Sequence, residues 1–446
     1  MSEHNNDAAP EPVHDPRITW EGCSVLLDVN DGDRMVFARL TAGSTIKIGN
    51  KSCSLKPLIG CHFGSSFQLE NGTDGPYLSH IVNGNDNSRE KADCEMADEG
   101  RDNRSLIDNN KAQSLSGEDI DAMKRQGAKG DEIIDALIAN SATFDKKTAF
   151  SQEKYRIKKQ KKYAPRVILR RPFSRSICEA YFKKHPAKIG FIRIDTLSLL
   201  LSMANAGANS DVLVVDRVGG LVTGAFAERL GGTGQVCNAY IGGSETSMDI
   251  VRIFNFSDET LKRIVRASLS DLASVETITS SETSQQENTP IEESNGQTSS
   301  VSITDVSLAS GSEDGSIDAE ATIFSMAKTG KAPKAGEKAS PETLTIWKES
   351  GFSSLIIAAP DMDPWSLVKD FLPLLSFSAP FAIYHQYLQP LATCMHNLQI
   401  SKMAIGLQIS EPWLREYQVL PSRTHPMMQM STFGGYILSG TRIHSS

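Results

Sequence analysis

The run DVLVVDRVGGLVTGAF, residues 211–226, constrains this chain more than any other feature. An apolar strand ends at Asp216, a turn with two adjacent glycines follows, and a helix continues to Leu230. A strand that feeds through a glycine turn into a helix is half of a βαβ unit, and such a strand needs parallel neighbours with helices on both faces of the sheet. Neighbours are available. QVCNAYI (235–241), SSLIIAAP (353–360), PFAIYHQ (380–386), MAIGLQIS (403–410) and GGYILSG (434–440) read as strands, and Thr196–Ala206 reads as an apolar helix capped by Asp195. The spacing predicts an α/β, doubly wound sheet over residues 172–446. A stretch rich in Ser, Thr, Glu and Gly, 271–340, interrupts it and reads as a disordered insertion.

A different texture precedes this domain. After a polar tail, 1–16, short alternating runs such as CSVLLDV, RMVFARL and SSFQLENG are separated by turn residues, the pattern of a small antiparallel β-barrel or sandwich over 17–101. Its last part, 83–103, carries seven acidic residues and reads as a disordered loop. Residues 102–171 read as a helical, basic connector. Ser116 and Asp119 form a capping box, and Ile133, Ile134, Leu137 and Ile138 make an apolar face that ends near Asn140. A further exposed helix is expected from an N-cap at Ser151 to Pro165.

A net charge of −8 over 446 residues argues at first against a polyanionic ligand. The distribution reverses that impression, because Lys146 to Arg171 hold eleven Lys and Arg against one acid, Glu153. The cysteines at 23, 53, 61, 94, 178, 237 and 394 make no C-x-x-C pair and read as reduced thiols. The polar N-terminus lacks the apolar core of a secretory signal, and no apolar run reaches spanning length, so an intracellular, non-membrane protein is expected.

The glycine turn resembles the donor site of class I, S-adenosylmethionine-dependent methyltransferases, in which an acid is followed by G-x-G-x-G. Asp216 keeps the acid, but the three glycine positions hold Val218, Gly220 and Val222. Tyr240 stands where the second strand of that family ends in a ribose-binding acid. The fourth strand resembles the V-F-L-D-L-P-x-P-W of the adenine-N1 methyltransferases, yet reads LIIAAP, with Ala358 in the aspartate's place. A valine or tyrosine in a sheet is ordinary packing when taken singly. Three such departures in register imply a degenerate, Rossmann-like methyltransferase domain whose own donor site is lost.

The resemblance extends to the non-catalytic subunits of the eukaryotic tRNA adenine-58 N1-methyltransferase. It is carried by DNRSLIDNNKAQSL (102–115), DEIIDALIANSATFDKKTAFSQEKY (131–155), RIDTLSLLLSMANAG (193–207), ERLGGTG (228–234) and REYQVLPSRTHP (415–426). It implies a chain that binds no cofactor and pairs with a catalytic subunit holding S-adenosylmethionine, in a nuclear heterotetramer of two copies of each acting on tRNA. Within it, Lys154, Arg156, Lys158, Lys159, Lys161, Lys162, Arg166, Arg170 and Arg171 are expected to meet tRNA phosphates, with Tyr155 and Tyr163 stacking between them. The alternative is a solvated linker or a nuclear import signal. Arg415, Tyr417, Arg423 and His425 form a second candidate RNA contact on a hairpin that equally suits a subunit interface.

The nine histidines offer no metal set; His62, His385 and His396 read as ordinary polar contacts, and Asp361 and Asp363 as the start of a helix. Two other functions stay open at this stage. One is an active RNA methyltransferase with an atypical donor site, the other a general RNA-binding or translation-associated scaffold.

Overall fold

A computed structural model describes residues 15–72, 75–81, 113–242, 246–273, 335–420 and 423–444. The acidic loop 83–103, nearly all of the tail 1–16 and most of the insertion 271–340 lie outside the described residues.

The N-terminal domain is built from β1 (Ser24–Val29), β2 (Arg34–Arg39), β3 (Thr45–Ile48), β4 (Lys51–Ser54), β5 (Ser66–Gly72) and β6 (Gly75–His80). Three helices follow, α1 (Gly117–Arg125), α2 (Gly130–Ala139) and α3 (Ala149–Tyr163). The chain then returns as β7 (Arg166–Arg170). This strand lies in the middle of the antiparallel order β2-β1-β7-β5-β6, with the hairpin β3-β4 separate. Alternate residues of β1 and β7, Val25, Leu27, Val167 and Leu169, bury into one core with Ile46, Ile48 and Cys53 of the hairpin. The expected connector 102–171 therefore ends inside the sheet. Its final basic residues flank a buried strand, because RVILR alternates polar and apolar side chains.

The helices keep their expected faces with shifted ends. Ser116 and Asp119 make the capping box of α1. The N-cap of α3 is Thr148, whose hydroxyl accepts from the Ser151 N–H, so Ser151 lies one turn inside the helix.

The second domain runs α4 (Ser174–Lys184), α5 (Ile194–Met203), β8 (Asp211–Asp216), α6 (Leu221–Leu230), β9 (Gln235–Tyr240), α7 (Asp258–Lys262), β10 (Ile264–Ser268), α8 (Leu269–Leu272) and β11 (Glu337–Lys338). It continues with α9 (Pro341–Ser350), β12 (Ser354–Ala358), α10 (Pro364–Phe371), β13 (Pro380–His385), α11 (Leu388–Ser401), β14 (Ala404–Ser410), β15 (Tyr417–Leu420), β16 (Arg423–Pro426) and β17 (Tyr436–Arg442). Eight strands form one sheet in the order β11-β10-β9-β8-β12-β13-β17-β14. Neighbours are parallel from β11 to β13, and β17 runs antiparallel between β13 and β14. The order reverses between β8 and β12, and the crevice at the carboxyl ends of such strands is where doubly wound sheets take ligands. One face is covered by α4, α5 and α6, the other by α9, α10 and α11, each sealing its own apolar core. Helix α5 starts at Arg193 as N-cap rather than Asp195, which pairs with Arg193 instead.

The two domains meet through reciprocal hydrogen bonds. The Ser24 N–H donates to Asn255 Oδ1 and Asn255 Nδ2 donates to the Ser24 carbonyl, both at 2.7 Å. Inside the first domain, Arg170 Nε donates at 2.7 Å to Asp28 Oδ2, and the Gly32 N–H donates to Oδ1 at 2.6 Å. Asp28 is fully buried while Arg170 is partly exposed. Arg170→Ala strands that carboxylate with a single backbone donor and is expected to destabilise the chain by about 3 kcal/mol in urea unfolding.

Candidate functional site

The two valines of the glycine turn are both buried. Asp216, fully buried at the end of β8, receives N–H bonds from Val218 (2.9 Å), Gly220 (3.1 Å) and Thr223 (2.9 Å), and the Thr223 hydroxyl at 2.9 Å. The positive end of α6, which could attract an anion, is thus occupied by the chain's own carboxylate. Burial pushes the Asp216 carboxyl up, and the hydrogen bonds from Thr223, Val218 and Gly220 pull against it.

Gly219 and Gly220 both lie at positive φ, +75° and +87°, where a side chain would strain the backbone. What they approach is protein. The loop after β9 drops Met248 to Phe254 onto the turn. A Cβ on Gly220 would come within 2.8 Å of Met248 Cα and 3.1 Å of Val251 Cγ2, and one on Gly219 within 3.0 Å of Ile250 Cδ1. On α6, a Cβ on Gly224 would stand 2.5 Å from Phe254 Cε2. Val218 presses toward Gly190, where a Cβ would meet Val218 Cγ1 and Pro360 Cγ at 2.9 Å each. Val222 joins the core among Phe226 and Val251. The Cβ directions of both turn glycines thus point at Met248, Ile250 and Val251 rather than into open space.

The mouth of the crevice is crossed by an ion pair. Arg217 Nε donates to Asp361 Oδ2 at 2.6 Å, joining the loops after β8 and β12, and the Arg217 N–H donates to the Ala358 carbonyl. Ala358 is buried and carries no group for proton transfer. Tyr240 ends β9 half-buried. Asp363 caps α10 through the Ser366 N–H. His385 Nδ1 accepts from the Tyr387 N–H at 2.9 Å, and burial holds the ring's pKa below its usual value. His62 and His396 are exposed. Among the described residues, no group of three or more His, Cys, Asp or Glu is placed to hold a metal.

The basic run has two faces on α3. Lys154, Lys158 and Lys162 form an exposed stripe at helical spacing, with Lys161 beside it. Lys161 is paired with Asp33 at 2.6 Å. Lys154, Lys158 and Arg171 make no ion pair with the described residues. The opposite face packs. The Tyr155 ring lies 5.7 Å from that of Phe144, with Lys147 and Lys159 over it, and Tyr163 joins the small core of α1 and α2 beneath Lys124, Lys159 and Lys162. Arg156 lies over Phe144. The tyrosines expected to stack on bases thus hold the connector together. Lys159 is pushed below its usual pKa by burial and by the charges of Lys162 and Lys158, which marks crowded positive charge on this helix. Arg166 is exposed at the start of β7, and Arg170 is committed to Asp28.

The second candidate contact is a separate ribbon, β15-β16, with Gln418 opposite His425 and Leu420 opposite Arg423. The Arg415 guanidinium stacks on Trp413, 3.7 Å from the ring centroid, and its Nη1 donates to the Leu414 carbonyl. Tyr417 and His425 are exposed. The excursion between β14 and β17 that carries the ribbon exposes the large apolar side chains of Trp413, Tyr417, Val419 and Met428. Neither this property nor the loop that faces the glycine turn was found from sequence, although MDIVRIFNF (248–256) carries the signal in its apolar spacing.

A family model described as the Gcd10p family matches residues 20–300. The chain is 36% identical over 438 residues to the "tRNA (adenine(58)-N(1))-methyltransferase non-catalytic subunit trm6" of Dictyostelium discoideum, covering 96% of this chain and 80% of that protein. It is 31% identical to the TRM6 subunit of the same name from Mus musculus, covering 98% and 92%. Among solved structures, it is similar to an S-adenosylmethionine-dependent O-methyltransferase from Thermotoga maritima (TM-score 0.47, 10% identity, 96% of each chain). It is also similar to the tRNA (m1A58) methyltransferase TrmI of Aquifex aeolicus (TM-score 0.43, 11% identity, 96% of this chain and 99% of that one).

Two outcomes are expected of variants at the turn. Restoring glycine at both Val218 and Val222 leaves S-adenosylmethionine without measurable heat in calorimetry, since Met248 to Phe254 still cover the site. Asp216→Ala orphans three N–H groups and a hydroxyl, and costs about 3–5 kcal/mol in urea unfolding.

Proposed function

Because this chain belongs to the Gcd10p family, we propose that it is the non-catalytic, tRNA-holding subunit of a tRNA (adenine-58-N1)-methyltransferase whose chemistry resides on a partner subunit. The observation that carries this reading is the closed glycine turn. In this reading Met248, Ile250 and Val251, which face the two turn glycines, take the space that a donor would need over a methyltransferase-type sheet. S-adenosylmethionine then belongs to the partner.

In this reading α3 supplies the RNA contact. Lys154, Lys158 and Lys162 project from one side of a helix pinned at its C-terminal end by β7, and Arg171 stands just beyond that strand. Phosphates recognise such a stripe by charge, and the gain is the release of counterions. The apolar ribbon β15-β16 serves as the docking surface for the catalytic partner. The assembly of two copies of each subunit and the nuclear location belong to the same proposal and are supported by the family resemblance alone. No described helix is long and apolar enough to cross a membrane.

Co-expression with the catalytic subunit tests the reading. Lys154→Glu, Lys158→Glu and Arg171→Glu together are expected to weaken tRNA binding at least about tenfold and to flatten the slope of log affinity against log salt by about 3. Assembly should be unchanged. An unaltered slope would remove α3 from the RNA interface, and failure to co-purify with a methyltransferase would favour the scaffold reading.

A further inference from the structure

The excursion between β14 and β17 is weakly supported from within. Among the described residues the ribbon β15-β16 pairs with no other sheet, and a lone two-stranded hairpin is at best marginally stable in water. The excursion that carries it exposes large apolar side chains on both stems and on the ribbon: Trp413 is 76% exposed, Val419 73% and Met428 90%. Side chains of this kind, gathered on one projection, mark a surface that a partner covers.

The base of the excursion is held by a buried charge. Arg193, 4% exposed, directs Nε and Nη2 at the two oxygens of Asp195, each at 2.7 Å. The same guanidinium donates from Nη1 to the Ser431 carbonyl at 2.9 Å and from Nη2 to the Pro412 carbonyl at 3.3 Å. Pro412 precedes the ribbon and Ser431 follows it, so one side chain grips both stems. The buried Thr196 hydroxyl adds a 2.6 Å bond to the Gly434 carbonyl. Gly434 lies close enough that a Cβ would come within 3.0 Å of Thr196 Oγ1 and 3.1 Å of Arg193 Nη2.

Burying an arginine is costly unless its donors are satisfied, and a planar fork can bind a carboxylate and two carbonyls at once where an ammonium cannot. We propose that Arg193 is a positioning residue for subunit docking: its grip on Pro412 and Ser431 sets the direction in which the apolar ribbon is presented to the catalytic partner. This rests on the reading of the ribbon as the docking surface. A ribbon held in one orientation binds with its full intrinsic affinity, whereas one that samples many is weakened by the fraction that is competent.

The test compares Arg193→Lys, Arg193→Met and Val419→Asp in the full chain. Amide exchange is measured across 413–428 and across β8, and association with the purified catalytic subunit is followed in real time. Arg193→Lys is expected to leave β8 protected, to speed exchange in the ribbon about tenfold, and to slow association about tenfold with dissociation nearly unchanged. Val419→Asp is expected to speed dissociation without altering ribbon exchange. Unchanged ribbon exchange in Arg193→Lys overturns the proposal, as does faster exchange with unaltered association while Val419→Asp still weakens the complex. Should Val419→Asp and Met428→Asp both leave assembly intact, the docking reading itself fails and takes the proposal with it. Arg193→Met extends the comparison where it folds, and Arg193→Lys decides where it does not.

Discussion

The domain depends on the bonds that one buried carboxylate makes with its own turn. Asp216 accepts from Val218, Gly220 and Thr223, and so fixes the path from β8 into α6. That path places Gly219 and Gly220 beneath the loop of Met248 to Phe254. Val218 stands against Gly190, and Arg217 pairs with Asp361 between the loops after β8 and β12. The loop of Met248 to Phe254 also ends at Asn255, which bonds to Ser24 of the first domain. The loop that faces the glycine turn therefore also makes a contact between the domains, and its Ile250 and Val251 are held by apolar burial.

The basic connector divides its charges by function. Lys161 and Arg170 neutralise Asp33 and Asp28 and so tie the helix and β7 to the hairpin β1-β2. Tyr155 and Tyr163 bury part of their rings beneath lysine ammonium groups, which orders the helix and engages Lys162 of the outward stripe while leaving Lys154 and Lys158 outside these ring contacts. Like charges crowded on one face repel each other, and a polyanion relieves that repulsion.

Much of this was legible in the sequence where the signal is local. DVLVVD reads as a strand because its residues are apolar and its end is marked by the turn, and β8 spans those residues. The capping box at Ser116 was visible for the same reason. Nearby caps were harder: Thr148 and Ser151 are both good caps, and Asp195 is a better one by type than Arg193, yet tertiary contacts chose otherwise. β7 was hidden because RVILR follows a basic helix, and its place between β1 and β5 is decided by pairings with residues far back in the chain, such as Leu26 with Arg170 and Phe67 with Val167. At the glycine turn, Val218, Val222 and Ala358 were readable as departures from the family pattern, but the residues that face the turn were not. Those residues come from a loop whose apolar spacing gives no direction in space. The apolar ribbon was read for its arginines because Arg, Tyr and His draw the eye; exposure of Val419 and Met428 is a property of the fold alone.

The central place of β7 has a bearing on synthesis. Strands β1 and β5 cannot be joined until Arg166–Arg170 has left the ribosome, so half of the first domain's sheet waits for the helices to be made. The cationic helix is therefore fastened into its final orientation in the same event that completes that domain. A nascent chain stopped short of residue 170 would expose unpaired strand edges beside a polycation, an invitation to aggregation on nucleic acid that the full-length product avoids.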